Sequence, residues 1–307
     1  MSVALLFPGQ GSQFVGMGRE LAQAYRQAAE VFEEADEVLG VYLSRLAWEG
    51  PEEELTLTKN AQPALLVHSV AMHRVVAGEL GEVSVAAGHS LGEFSAHVAA
   101  GTLAFRDALE AVRLRGELMF STGVERPGTM AAILGMEDQA VEELCRAVQE
   151  GGKVCVPANF NSPGQVVISG EVEGVEEAMA LARERGAKRA LPLTVSGAFH
   201  SPLMDPAKEG LREKLGKTNF SDPTFPVVSN VTALPVSRGS EARDLLVEQL
   251  TSPVRWAASV ERMVDLGVES FVELGAGSVL CGLNKRNARG MSCMSLGAPA
   301  DLDQLKG

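Results

Sequence analysis

Several things are scarce or missing in this chain, and each shortage removes a class of function. Cysteine is scarce: four in 307 residues, at Cys145, Cys155, Cys281 and Cys293. They lie far apart without metal-type spacing, so no metal site is expected and all four read as reduced thiols in small, buried apolar roles. No apolar run approaches the ~20 residues that cross a bilayer, so no membrane span is expected. The opening Met-Ser-Val-Ala-Leu-Leu-Phe-Pro has no basic stretch and leads straight into a strand pattern. No secretory leader is expected from it, and a cytoplasmic location is. Basic residues are short too, 27 Lys and Arg against 40 Asp and Glu, and the net charge of −13 argues against a nucleic-acid partner. Internal repeats and low-complexity tracts are missing. So are nucleotide loops: after Gly9 and Gly11 the third position of Gly-x-Gly-x-x-Gly is Phe14, and no Gly-Lys-Ser/Thr follows.

What remains is a globular composition, 46% hydrophobic and 22% charged. A length of 307 residues slightly exceeds the roughly 250–300 at which one core stops growing, so one large domain plus a smaller one is expected. Val3–Phe7 reads as a buried strand ended by Pro8-Gly9, and helical patterns follow to about residue 120 around a second strand at Val85–Ala87. Strands alternating with helices imply a mainly parallel sheet covered on both faces. Between Gly123 and Gly128 the chain breaks and the rhythm changes. Thr129–Leu134 reads as strand, Glu137–Glu150 as helix, Val154–Asn159 and Gln165–Ser169 as strands, Gly174–Arg185 as helix and Arg189–Val195 as strand. That βαββαβ order predicts a ferredoxin-like unit inserted at 126–197 into a large domain built from 1–125 and 198–307. Pro226–Ser229 and Ser270–Leu274 read as further core strands.

The sharpest local signal is Gly88-His89-Ser90-Leu91-Gly92-Glu93, directly after the strand and directly before a helical run. Gly-x-Ser-x-Gly in that context is a nucleophile elbow: a sharp turn that lifts a serine hydroxyl over a helix N-terminus. A chance match in a chain with 32 glycines is the plain alternative. A serine needs a base, and five histidines compete. His68 and His73 lie in a helical stretch unrelated to the elbow. The His89 side chain should diverge from its neighbour. His97 stands roughly 10 Å further along the helix. His200 remains, in a loop at the predicted domain junction. The Phe7–Gln13 loop should leave the first strand at the same sheet edge, so the Gln10 N–H, with that of Leu91, could supply the oxyanion donors; a plain tight turn is the alternative. Arg115 falls on the apolar stripe Ala108, Ala111, Val112, Leu118, Met119 with no acidic residue on it. A substrate carboxylate would satisfy it; an internally paired arginine is the alternative. Asp205 and Glu273 are available as a triad acid, but no motif fixes either.

Phe7-Pro-Gly-Gln-Gly-Ser-Gln13, the elbow, Arg113-x-Arg-Gly116, Asn161-Ser-Pro-Gly-Gln-Val-Val-Ile, His200 and Gln249-Leu-x-x-Pro-Val-Arg-Trp occur in that order. Together they resemble the malonyl-coenzyme A:acyl carrier protein transacylases of fatty acid synthesis over nearly the whole chain. The resemblance implies an α/β-hydrolase-like domain carrying a ferredoxin-like insertion. It implies a malonyl group carried on Ser90, His200 as base, Arg115 on the malonyl carboxylate, and Gln10 and Leu91 as the oxyanion hole. Gln249 would orient His200 through its main-chain carbonyl, with no triad carboxylate. Malonyl-CoA would be the donor and an acyl carrier protein the acceptor, with no metal or cofactor. Lys188, Arg189, Lys285 and Arg286 are candidates for docking an acidic carrier. A serine hydrolase such as a thioesterase, an acyltransferase with another acyl-CoA preference, and a non-catalytic carrier-binding protein are the rival readings.

Overall fold

In β1 (Ser2–Phe7), Val3, Leu5 and Phe7 face one apolar core while Ala4 and Leu6 face another. In β2 (Glu82–Gly88), Ala86 faces the first core and Val85 and Ala87 the second. Strands buried on both faces show no polar alternation and belong inside a helix-covered parallel sheet. A computed structural model, describing residues 2–306, shows that arrangement. The six-stranded sheet has the order β10 (Ser292–Leu296), β9 (Ser270–Leu274), β1, β2, β7 (Val227–Val228), β8 (Pro235–Val236). Every neighbouring pair is parallel except β7 with β8. Between β1 and β2 run α1 (Arg19–Ala24), α2 (Arg26–Leu39), α3 (Leu43–Glu49), α4 (Glu52–Thr56) and α5 (Thr58–Val76). After β2 come α6 (Gly92–Ala99) and α7 (Phe105–Glu125). The break expected between Gly123 and Gly128 falls where α7 ends, at Glu125, ahead of β3. Gly123 is there for close approach: a Cβ would strike the Ser196 carbonyl on the returning chain.

The second sheet has four strands in the order β4 (Cys155–Ser162), β5 (Gln165–Gly170), β3 (Thr129–Leu134), β6 (Arg189–Pro192), all antiparallel. In chain order, α8 (Asp138–Glu150) follows β3 and α9 (Val172–Glu184) follows β5. Val141, Leu144, Cys145 and Val148 form the buried stripe of α8, at helical spacing. They join Ala131, Ile133, Val166 and Ile168 in a core drawn only from residues between 131 and 190. Each buried Val, Leu or Ile among them contributes about 1.5–3 kcal/mol by burial. Met130 and Val167, on the opposite face, pack into the large core. The chain then returns through α10 (Asp205–Gly216), α11 (Gly239–Glu248), α12 (Trp256–Asp265) and α13 (Val279–Asn287).

One expectation is overturned. Cys281 on α13 and Cys293 on β10 form a disulfide, and only Cys145 and Cys155 are free thiols. The β9–α13–β10 crossover lays the helix back along the strand, which brings together residues 12 apart in sequence. A cross-link over such a loop stabilises by about 3 kcal/mol, chiefly by restricting the unfolded chain. Among the described residues no cluster of His, Cys, Asp or Glu could hold a metal ion, and no helix is long and apolar enough to cross a membrane.

Candidate active site

The elbow forms because its glycines permit a contact that any side chain would block. A Cβ on Gly88 would collide with the Gly92 carbonyl, and one on Gly92 with the carbonyl of Phe7. Ser90 is held at φ 52°, a left-handed conformation that side-chain-bearing residues adopt only under constraint. The constraint comes from Asn230, just past β7. Its Oδ1 accepts from the Ser90 N–H at 2.7 Å, and its Nδ2 donates to the Gly88 carbonyl at 2.7 Å. Sequence reasoning missed Asn230; its only signal was its place at the end of a core strand, where open parallel sheets build their sites.

His200 also has a positive φ, 56°, and its ring reaches the serine. Ser90 Oγ lies 2.8 Å from His200 Nε2. His200 Nδ1 faces two main-chain oxygens, of Gln249 at 2.9 Å and Ser252 at 3.2 Å. Carbonyls only accept, so Nδ1 carries the hydrogen and Nε2 is free to take the serine proton. Burial pushes the His200 pKa down to about 3, with the Arg115 charge adding to the effect and the two carbonyls opposing it. The ring is therefore neutral, in base form, throughout the physiological range. No carboxylate completes a triad. Glu273 instead accepts from the Leu280 and Cys281 N–H groups at the start of α13, and Asp205 opens α10 on the surface. The segment carrying Gln249 is tied to the small sheet, with Val254 N donating to the Ala158 carbonyl at 2.8 Å and Phe160 N to the Val254 carbonyl at 2.9 Å.

Arg115 is 1% exposed, on the buried face of α7. Its Nη2 donates to Ser90 Oγ at 3.1 Å and to Gln249 Oε1 at 2.9 Å, and its Nη1 to Gln62 Oε1 at 2.6 Å. Its Nε has no partner. Burial lowers its pKa to about 10, opposed by the charge of Glu93, so it remains a cation. Glu93, in the first turn of α6, was not singled out from the sequence. The helical period of α7 shows only the residues that share a face with Arg115, and this acidic neighbour comes from another helix.

Ser90, His200 and Arg115 line a cavity of about 330 Å³. Gln10 and Leu91 are on its wall, and no acceptor among the described residues takes the N–H of either. Met119, Met130, Leu193, Val195 and Phe199 supply apolar surface, and Arg115 is the sole permanently charged side chain in the lining. Thus the predicted Ser90, His200, Arg115, Gln10, Leu91 and Gln249 converge on one place. His89 lines the cavity but turns its ring to Asn161 Oδ1 at 2.8 Å, while His68 bonds the Gly297 carbonyl and His97 is buried with Nδ1 unpaired, so none of the three is the base. A nucleophile, a neutral base, two free N–H donors and a buried cation are the parts of acyl transfer from an activated, anionic acyl donor.

Known proteins share this arrangement of elements. A family profile described as "Acyl transferase domain" matches residues 4–298. The Malonyl CoA-acyl carrier protein transacylase of Bacillus subtilis is 48% identical over 301 residues, covering 98% of this chain and 95% of the relative. The protein of the same name from Escherichia coli K12 is 47% identical over 298 residues, covering 97% and 96%. A crystal structure of an acyl carrier protein S-malonyltransferase from Vibrio cholerae superposes with a TM-score of 0.95 at 46% identity, covering 99% of both chains. A type II PKS acyl-carrier protein in complex with its malonyl-transacylase matches with a TM-score of 0.95 at 44% identity, again covering 99% of both.

Proposed function

The chain belongs to the acyl transferase domain family, and we propose that it moves a malonyl group from malonyl-CoA to the phosphopantetheine thiol of an acyl carrier protein, as an [acyl-carrier-protein] S-malonyltransferase of fatty acid synthesis. The observation that carries this reading is Ser90 Oγ, 2.8 Å from a neutral His200 Nε2 and 3.1 Å from a buried arginine. His200 Nε2 takes the Ser90 proton as Oγ attacks the malonyl thioester carbonyl. The tetrahedral oxygen sits against the N–H groups of Gln10 and Leu91, worth about 3–4 kcal/mol per donor in the transition state. The C–S bond breaks and His200 returns the proton to the departing coenzyme A thiol. A malonyl-serine ester remains, with its carboxylate on Arg115. The carrier thiol then gives its proton to His200, attacks the ester and regenerates Ser90. No step calls for a metal or redox cofactor. Gln249, through its main-chain oxygen, keeps the His200 hydrogen on Nδ1.

We divide the chain into a large α/β-hydrolase-like unit, 1–125 with 198–307, and a ferredoxin-like insertion at 126–197. The separate apolar core between residues 131 and 190 and the βαββαβ order support that division. A cytoplasmic setting suits a coenzyme A donor, which is too highly charged to cross a membrane, although the Cys281–Cys293 bond is of a kind concentrated in oxidising compartments. Exposed Lys188, Arg189, Lys285 and Arg286 are the docking residues we assign to the carrier.

Mixing the protein with malonyl-CoA and digesting it should leave a malonyl increment on the peptide containing Ser90 by mass spectrometry. An unmodified Ser90 peptide in active enzyme would sink the reading. Its pH dependence follows from His200. A base with a lowered pKa keeps its free electron pair as pH falls, so the acid limb of kcat/KM should lie well below the ordinary imidazole value of about 6.5. Malonyl transfer should stay nearly level from pH 8 to pH 5, about two units above the pKa of about 3. A limb centred near pH 6.5 would show a solvated ring instead.

A further inference from the structure

Glu93 follows the nucleophile by three residues, is 1% exposed and does not line the cavity. A buried carboxylate needs several donors to be tolerated, and it has them. Its Oε2 accepts from Gln249 Nε2 at 2.7 Å and from the Asn230 main-chain N–H at 3.1 Å. The Gln249 contact has consequences at the site. Gln249 Nε2 also donates to the Ser90 carbonyl at 3.0 Å, while its Oε1 accepts from Arg115 Nη2 at 2.9 Å. One end of the amide thus faces only acceptors and the other a donor. Turned over, it would set oxygen against oxygen and an NH₂ group against the guanidinium. The same residue's main-chain oxygen holds His200 Nδ1.

We propose that Glu93 is a positioning residue for malonyl transfer: acting through Gln249, it locks the amide that places Arg115 and steadies the residue that orients His200. The inference rests on the malonyl-transfer reading above. Asn230 extends the lock, since it bonds Glu93 through its main chain and the Ser90 N–H through its side chain. One carboxylate oxygen therefore links the nucleophile's turn, the base's support and the cation's acceptor.

The Gln249 and Asn230 donors meet the same oxygen, and burial already raises the Glu93 pKa to about 7, so the requirement is an acceptor at that point rather than a full negative charge. The test uses full-length Glu93→Gln, Glu93→Asp and Glu93→Ala, each with malonyl-CoA and acetyl-CoA as donors and carrier protein as acceptor, and a thermal midpoint for each. Glu93→Gln offers a carbonyl oxygen in the same place and should stay within about threefold of the parent with both donors. Glu93→Asp keeps the charge but withdraws the oxygen by one methylene. It should lower the preference for malonyl over acetyl about tenfold or more, mainly through KM for malonyl-CoA, and Glu93→Ala should do so at least as strongly. A purely structural role would scale both donors by one factor along with the thermal midpoint. Equal scaling, or an unchanged preference in Glu93→Asp, overturns the inference even if Glu93→Ala does not fold. Loss of preference in Glu93→Gln overturns it too, by assigning the role to charge. Parent enzyme that takes no malonyl on Ser90 removes the underlying reading and this inference with it; parent that loads while Glu93→Asp keeps its preference removes the inference alone.

Discussion

Ser90→Ala is expected to abolish the malonyl-enzyme and to lower kcat by about 10⁶-fold, with His200→Ala nearly as damaging and the double variant no worse than either single one. The two side chains act as one unit. Oγ has the His200 ring 2.8 Å away, and no other histidine reaches it, because His89 is committed to Asn161. Without the ring, the hydroxyl keeps its proton; without the hydroxyl, the ring has no group to activate in the first half-reaction. Residual transfer would come from the N–H groups of Gln10 and Leu91 and from binding alone. Rapid-quench kinetics with malonyl-CoA, alongside circular dichroism to verify folding, gives the answer. Multiplicative losses in the double variant would mean that Ser90 and His200 do not share a step.

Arg115→Ala is the second large effect. Malonyl transfer should fall by roughly 10²–10³, the equivalent of about 3–4 kcal/mol, for removing one partner of a buried charge pair. Acetyl transfer should fall far less, since an acetyl group has no carboxylate to lose. The contrast follows from the lining: the cavity holds one cation and no acid, so an anionic acyl tail has a single place to go. Arg115→Lys should recover little, because an ammonium cannot reproduce the guanidinium fork that spans Gln62, Ser90 and Gln249. Equal losses with the two donors would remove the carboxylate clamp and leave Arg115 as a structural cation.

Much of the fold was legible. β3 and β9 fall on the residues expected, and β1 begins one residue early. Their signal is local, an apolar run closed by turn residues. The small unit was legible in its order for the same reason, since each of its elements shows its own period. β6 is shorter than the expected Arg189–Val195: it ends at Pro192, and Leu193–Val195 turns away to line the cavity. β7 is a two-residue strand, and β10 was not anticipated because its burial is only partial. In each case the pairing partner, not the segment's own composition, sets the boundary.

Within the site, the sequence by itself determined the elbow, since the glycine requirement at 88 is a matter of backbone sterics within five residues, although the requirement at 92 is set by the Phe7 carbonyl of the neighbouring strand. It also determined the stripe that buries Arg115, since helical period alone decides which face a residue takes. The assignment of His200 needed only elimination among few candidates. What the tertiary structure alone decided is who meets whom across long stretches of chain: Asn230 on the elbow, Gln249 between Glu93 and Arg115, Cys281 on Cys293. A buried polar group must find a partner, but that demand can be met by any complementary group the packing brings near. The sequence states the demand at Arg115 and Glu93; only the packed helices and strand ends say which residue answers it.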